Sequence, residues 1–130
     1  MDTLQRLLSE AAEYQRYAEQ KCPSDPSEIN ERIRTLQVYI ARTGQMLAEA
    51  KLLLNRKKSS EIAETVVKIA KEGYLSAKAQ NAIVDSIAAE EKYLVDWLDR
   101  LNAACTHQVD HTRSLLAYER EQMRLLRTGY

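Results

Sequence analysis

Residues 25–54, DPSEINERIRTLQVYIARTGQMLAEAKLLL, decide the fold. Asp25 offers an N-cap acceptor and Pro26 takes the first helical position, where a missing N–H costs nothing. Glu28 follows at the third, beside the orphan donors of the first turn. From there Ile29, Ile33, Leu36, Ile40, Leu47, Ala50 and Leu54 recur in steps of four and three, interrupted only at Thr43. Such a narrow apolar stripe is a coiled-coil-like seam. The spacing predicts a helix over 26–54. Gly44 lies inside it at a cost of about 1 kcal/mol relative to Ala, so close helix approach is expected there, with a kink as the alternative.

The rest of the chain agrees. Its 130 residues hold 3 Gly, 2 Pro and no Phe, too few turn and aromatic residues for a sandwich or barrel. With 45% hydrophobic residues it can form a core. The expected fold is all-α, an elongated, coiled-coil-like helical bundle of about four helices forming a single domain over 1–130.

A first helix is expected over 3–19, with Leu4, Leu7, Ala11, Tyr14 and Ala18 on one stripe and Pro23 beyond its end. Residues 55–60 read as a polar connection. A short helix over 60–72 follows, capped by Ser59 or Ser60 and stopped at Gly73. Ser76 then caps a helix over 76–127, which has no Gly or Pro from Ala77 to Arg127. That stretch would extend about 75 Å, against about 43 Å for 26–54. Either it bends near Asn102–Thr106 or part of it packs on another subunit, and the excess length favours the second. Leu94, Trp97, Leu98, Leu101, Leu116 and Met123 are its candidate interface residues.

The 19 basic and 19 acidic side chains cancel, which argues against a strongly basic nucleic-acid coat. The charge is nevertheless segregated. Residues 83–110 carry six acids and two bases; residues 111–130 carry two acids and four bases. An antiparallel self-contact along the last helix would set opposite signs together. No apolar run approaches the roughly 20 residues that span a bilayer, and no signal peptide is visible, so no membrane association and a cytoplasmic location are expected. Cys22 and Cys105 are then expected as reduced thiols.

Two side-chain clusters carry possible chemistry. Lys51, Arg56, Lys57 and Lys58 form a basic corner able to contact nucleic-acid phosphates, although cations near a helix C-terminus are stabilising without any ligand. His107 and His111 share a helical face at metal-ligand spacing, but Cys105 points elsewhere and a zinc site needs three or four protein ligands. The acids Glu90, Glu91, Asp96 and Asp99 read as a solvated face, with Asp96 and Arg100 spaced for an ion pair. No catalytic motif and no cofactor-binding motif is present.

Residues Tyr93–Asn102, Thr106-His107-Gln108 and Arg113-Ser114-Leu115 resemble a segment of short helical proteins from phages and integrated elements of gut bacteria. Ile40–Thr43 and Met46–Lys51 are similar too. The resemblance implies a phage accessory role and supplies no mechanism or site residues. The expected function is a non-enzymatic helical interaction protein that self-associates. The alternative is a nucleic-acid accessory factor using the basic corner, with metal binding by His107 and His111 as the third reading.

Overall fold

Side-chain oxygens open four of the helices. Asp2 accepts from the Gln5 amide at 2.8 Å, Asp25 from Glu28 at 3.2 Å, Ser60 from Ala63 at 3.4 Å and Ser76 from Ala79 at 3.1 Å. The structure, a computed structural model, describes residues 2–128. Among them are no strand and five helices: α1 (Thr3–Ala18), α2 (Pro26–Lys58), α3 (Glu61–Glu72), α4 (Ala77–Ile87) and α5 (Ala89–Arg127). The chain is all-α with a long C-terminal helix.

The backbone of the fold is the α2–α5 pair, which makes the most extensive contact. Ile29, Leu36, Thr43 and Ala50 of α2 are completely buried and fall seven apart. Glu91, Leu98, Cys105 and Thr112 of α5, also buried, do the same. Two seven-residue repeats facing each other make the helix–helix seam. Its direction is antiparallel: Arg32 meets Gln108, whereas Ile40 and Thr43 meet Asn102. Thr43 therefore does not break the seam. Its hydroxyl donates to the Tyr39 carbonyl at 2.7 Å and accepts from Asn102 Nδ2 at 2.9 Å, and Nδ2 also donates to the Ile40 carbonyl at 2.8 Å.

Helix α1 lies in the groove of this pair, antiparallel to α2. Leu7, Ala11 and Ala18 enter the core. Arg6 pairs with Glu49 and Glu10 with Arg42, while Tyr14 stacks on Tyr39 with ring centroids 4.1 Å apart. The α3–α4 hairpin covers the end of α2, with Ala63 and Ala70 turned inward and Ile62 and Ile69 turned out.

Several expectations change. The long last helix is broken at Ala88, not bent near Asn102–Thr106, so there are five helices rather than about four. Ala88 is fully buried, and its small side chain fits where α4 turns away to meet α3. No side chain caps α5, but Glu90 and Glu91 in its first turn complement the helix dipole. Helix α2 runs to Lys58, not Leu54, because Arg56, Lys57 and Lys58 suit a helix C-terminus. Leu94, Leu98, Leu101 and Leu116 form no intersubunit seam: α1 and α2 occupy them within the chain. Trp97 is half-buried, its indole N–H donating to Gln15 Oε1 at 3.1 Å, and only Met123 of the six stays exposed. Asp96 pairs with Lys92 at 3.0 Å instead of with Arg100.

Gly44 is neither a kink nor a required close approach. It is exposed, α2 is continuous through it, and a Cβ there would meet only Asn102 Nδ2, at an ordinary 3.9 Å. We expect Gly44→Ala to raise the unfolding free energy by about 1 kcal/mol in denaturant titration. At the end of α3 the left-handed residue is Tyr74 (φ 61°), not Gly73. Tyr74 and Leu75 amides donate to Lys71 and Ala70 carbonyls, the Schellman pattern in which Gly is preferred at the left-handed position. Tyr74 is 95% exposed and packs on nothing it would lose. Tyr74→Gly is therefore expected to stabilise by roughly 1 kcal/mol, read as a higher thermal midpoint.

Candidate functional site

The basic corner does not form one patch. Lys51 and Lys58, seven apart, share a face of α2, but Arg56 lies about 140° and Lys57 about 240° around the axis from Lys51. Lys58 reaches Asp85 at 3.4 Å. Lys57 lines a shallow groove with Asp2, Thr3, Leu4, Leu53 and Glu91. The four cations are thus divided among the acidic start of α5, α4 and solvent.

A second cluster joins α1 to α2. Arg42 grips the Glu10 carboxylate with two N–H groups, Nη2 donating to Oε1 at 3.0 Å and Nε to Oε2, and the Tyr14 hydroxyl donates to Oε2 at 2.8 Å. The Arg42 hydrogen bond holds the Glu10 carboxyl below its ordinary range. Burial, with the Glu10 hydrogen bond, pushes the Tyr14 phenol up to about 12. A carboxylate fixed by a guanidinium and a phenol held protonated make a clamp rather than an acid–base pair.

The third cluster lies where α1 ends. A groove of about 350 Å³ is lined by Ala18, Gln20, Cys22, Arg32, His107, Gln108, His111 and Thr112. Arg32, only 5% exposed, is its deepest charge. Its Nη2 donates to the Ala18 carbonyl at 3.3 Å and to Gln108 Oε1 at 3.0 Å, while Gln108 Nε2 donates to the same carbonyl at 2.9 Å. The guanidinium stands 5.0 Å from the Tyr17 ring centroid. Among the described residues no carboxylate lies within salt-bridge distance of it, and Nε is buried without an acceptor.

His107 and His111 do come together, as the spacing predicts, and Cys22 rather than Cys105 joins them. Among the described residues no three ligand-type side chains are placed to hold a metal ion. Cys105 is a core residue whose thiol is pushed up by burial, with the nearby Arg32 charge acting in the opposite direction. Both cysteines are free thiols. Sequence reasoning missed Arg32 because a charge beside Ile33 reads as a solvent residue. The signal was its register: positions 32, 39, 46 and 53 repeat every seven residues beside the main seam.

No protein-family model, no curated protein and no solved structure matches this chain. Among the described residues no helix is long and apolar enough to cross a membrane.

The Glu10 clamp has a pH signature. A folded-state carboxyl held below its unfolded value stabilises above the unfolded pKa, and the contribution is lost as pH falls through the folded value. Glu10→Gln is expected to cost about 1 kcal/mol at pH 7, as for a well-aligned ion pair near a surface. The difference from the parent should shrink towards zero as pH falls below 4, measured by urea unfolding across pH.

Proposed function

We propose that the protein is a non-enzymatic, cytoplasmic helical interaction protein that self-associates through the outward face of α5. The resemblance to phage and mobile-element proteins fits an accessory role of this kind. The observation that carries the reading is a stripe of six exposed residues on that face: Asp99, Thr106, Asp110, Arg113, Ala117 and Arg124. At 100° per residue these six fall within about 60° of one another around the axis. Their spacing is palindromic. A second α5 laid antiparallel, with the two-fold axis between His111 and Thr112, sets Asp99 against Arg124, Thr106 against Ala117, and Asp110 against Arg113. Each charge meets its opposite, twice over, with Arg124 exchanging its present intrahelical partner Glu121, 2.6 Å away, for Asp99, and small side chains stand between. A parallel arrangement in register sets like charges together.

Such a contact is isologous and closes as a dimer. Exposed ion pairs contribute roughly 0.2–1 kcal/mol each, so this dimer is weak and salt-sensitive. Sedimentation equilibrium tests it. At low ionic strength the protein should dimerise in the millimolar range, and the association should weaken in 0.5 M salt. Arg113→Glu with Arg124→Glu should leave a monomer, and adding Asp99→Arg with Asp110→Arg should restore the dimer. A strict monomer at low salt, or no rescue by the charge swap, overturns the reading.

A further inference from the structure

The groove at the end of α1 poses a question that the dimer does not answer. A guanidinium is one of the costliest groups to bury, and it is normally compensated by a carboxylate. Arg32 receives two partial compensations. The Tyr17 ring gives a cation–π contact, and the C-terminal end of α1 presents the negative pole of its dipole, with the Ala18 carbonyl bonded directly. Neither is a counter-charge. Both Nη2 donors are committed, whereas Nε and Nη1 have no acceptor among the described residues.

The other side chains around the groove are of one kind. His107 and His111 stand at its mouth, exposed and four apart on α5, and Thr112 adds a hydroxyl beside them. Gln108 holds the guanidinium in place from the same helix at 3.0 Å. No acidic residue lines the groove. A cation here would face an unscreened arginine, so metal capture by the histidines is disfavoured. An anion would find a fixed positive charge with spare donors, two imidazoles and a hydroxyl, arriving from α2 and α5.

We infer that this groove binds a small phosphoryl oxyanion, inorganic phosphate or a phosphate monoester, with Arg32 as the central ligand and His107, His111 and Thr112 around it. Donors converging from two helices suit a tetrahedral oxyanion, whereas a planar carboxylate would be satisfied by the arginine fork alone. The volume of about 350 Å³ holds a phosphate and part of whatever it is esterified to. Bound phosphate would tie the start of α2 to the middle of α5 and the end of α1, beside a buried charge that has no salt-bridge partner among the described residues.

Inorganic phosphate, acetate and chloride at matched ionic strength, in the low millimolar range where general salt exclusion is negligible, test this. For the parent protein the thermal midpoint should rise saturably with phosphate and not with acetate or chloride. The Arg32 Nε–H resonance should shift with the same midpoint in NMR titration. Arg32→Met should be at least as stable as the parent without phosphate, because an uncompensated charge is gone, and its half-saturating phosphate concentration should rise at least tenfold. His107→Glu, at an exposed position that does not threaten the fold, should supply an internal carboxylate and likewise abolish the response. Should Arg32→Met fail to fold, the His107→Glu titration and the Nε–H shift decide the matter alone. A response matched by acetate, no saturable response beyond chloride, or an unchanged response in His107→Glu overturns the assignment.

Discussion

Everything in this molecule hangs on the antiparallel seam between α2 and α5. Helix–helix seams made only of aliphatic residues tolerate slippage by a turn or two; a polar pair at one level forbids it. Here that level is Thr43 with Asn102. The Asn102 amide donates into α2 at both the Ile40 carbonyl and the Thr43 hydroxyl, so moving either helix by one turn would take a half-buried amide away from both acceptors. With that register fixed, the groove between the two helices has one shape, and α1 fills it with Leu7, Ala11 and Ala18. The flanking pairs Arg6–Glu49 and Arg42–Glu10 then set its position along α2.

The same register disposes of the segregated charge. The basic last turns of α2 lie beside the acidic run from Asp85 to Glu91, through the Lys58–Asp85 pair and the Lys57–Glu91 groove. Opposite signs are therefore brought together within the chain, where the end of α2 meets α4 and the start of α5. The exposed face of α5 carries Asp99 and Asp110 ahead of Arg113 and Arg124, the last paired with Glu121 on the same helix. A charge pattern serves both an intramolecular and an intermolecular contact here because the two use different faces of one helix, about 100° apart.

Local chemistry made much of this legible in the sequence. Asp25, Ser60 and Ser76 each state a helix start, and the four–three stripe from Ile29 to Leu54 states the seam. Three things were not legible. Periodicity records that a stripe is buried without recording whose surface buries it, so Leu94, Leu98 and Leu101 served equally well for an internal or an external partner. The break at Ala88 carries no Gly, no Pro and no capping side chain; it exists because α4 packs on α3, a tertiary demand that overrides strong local helix propensity. Arg32 was hidden for a related reason. Only after Thr43 is accepted as a seam residue does the seven-residue register place position 32 indoors, and with it the groove at the end of α1.

The polar residues of the seam then sort by position. In its middle, Thr43 and Asn102 satisfy one another and the adjoining backbone. Towards its ends stand Arg32 and Glu91, both buried and both with a polar atom lacking any partner among the described residues. A seam that needed polar residues only for register would close them all, since an orphaned buried donor or acceptor costs roughly 1–3 kcal/mol. The two that stay open both border grooves, and they differ in kind. Glu91 has the first turn of its own helix and the nearby Lys57 to offset its charge. Arg32 has an aromatic ring and a helix end and, among the described residues, no carboxylate within salt-bridge distance. Replacing it by an apolar residue of similar length would relieve the seam, so its presence marks the end of α1 as a place where a buried charge stands without a salt-bridge partner among the described residues.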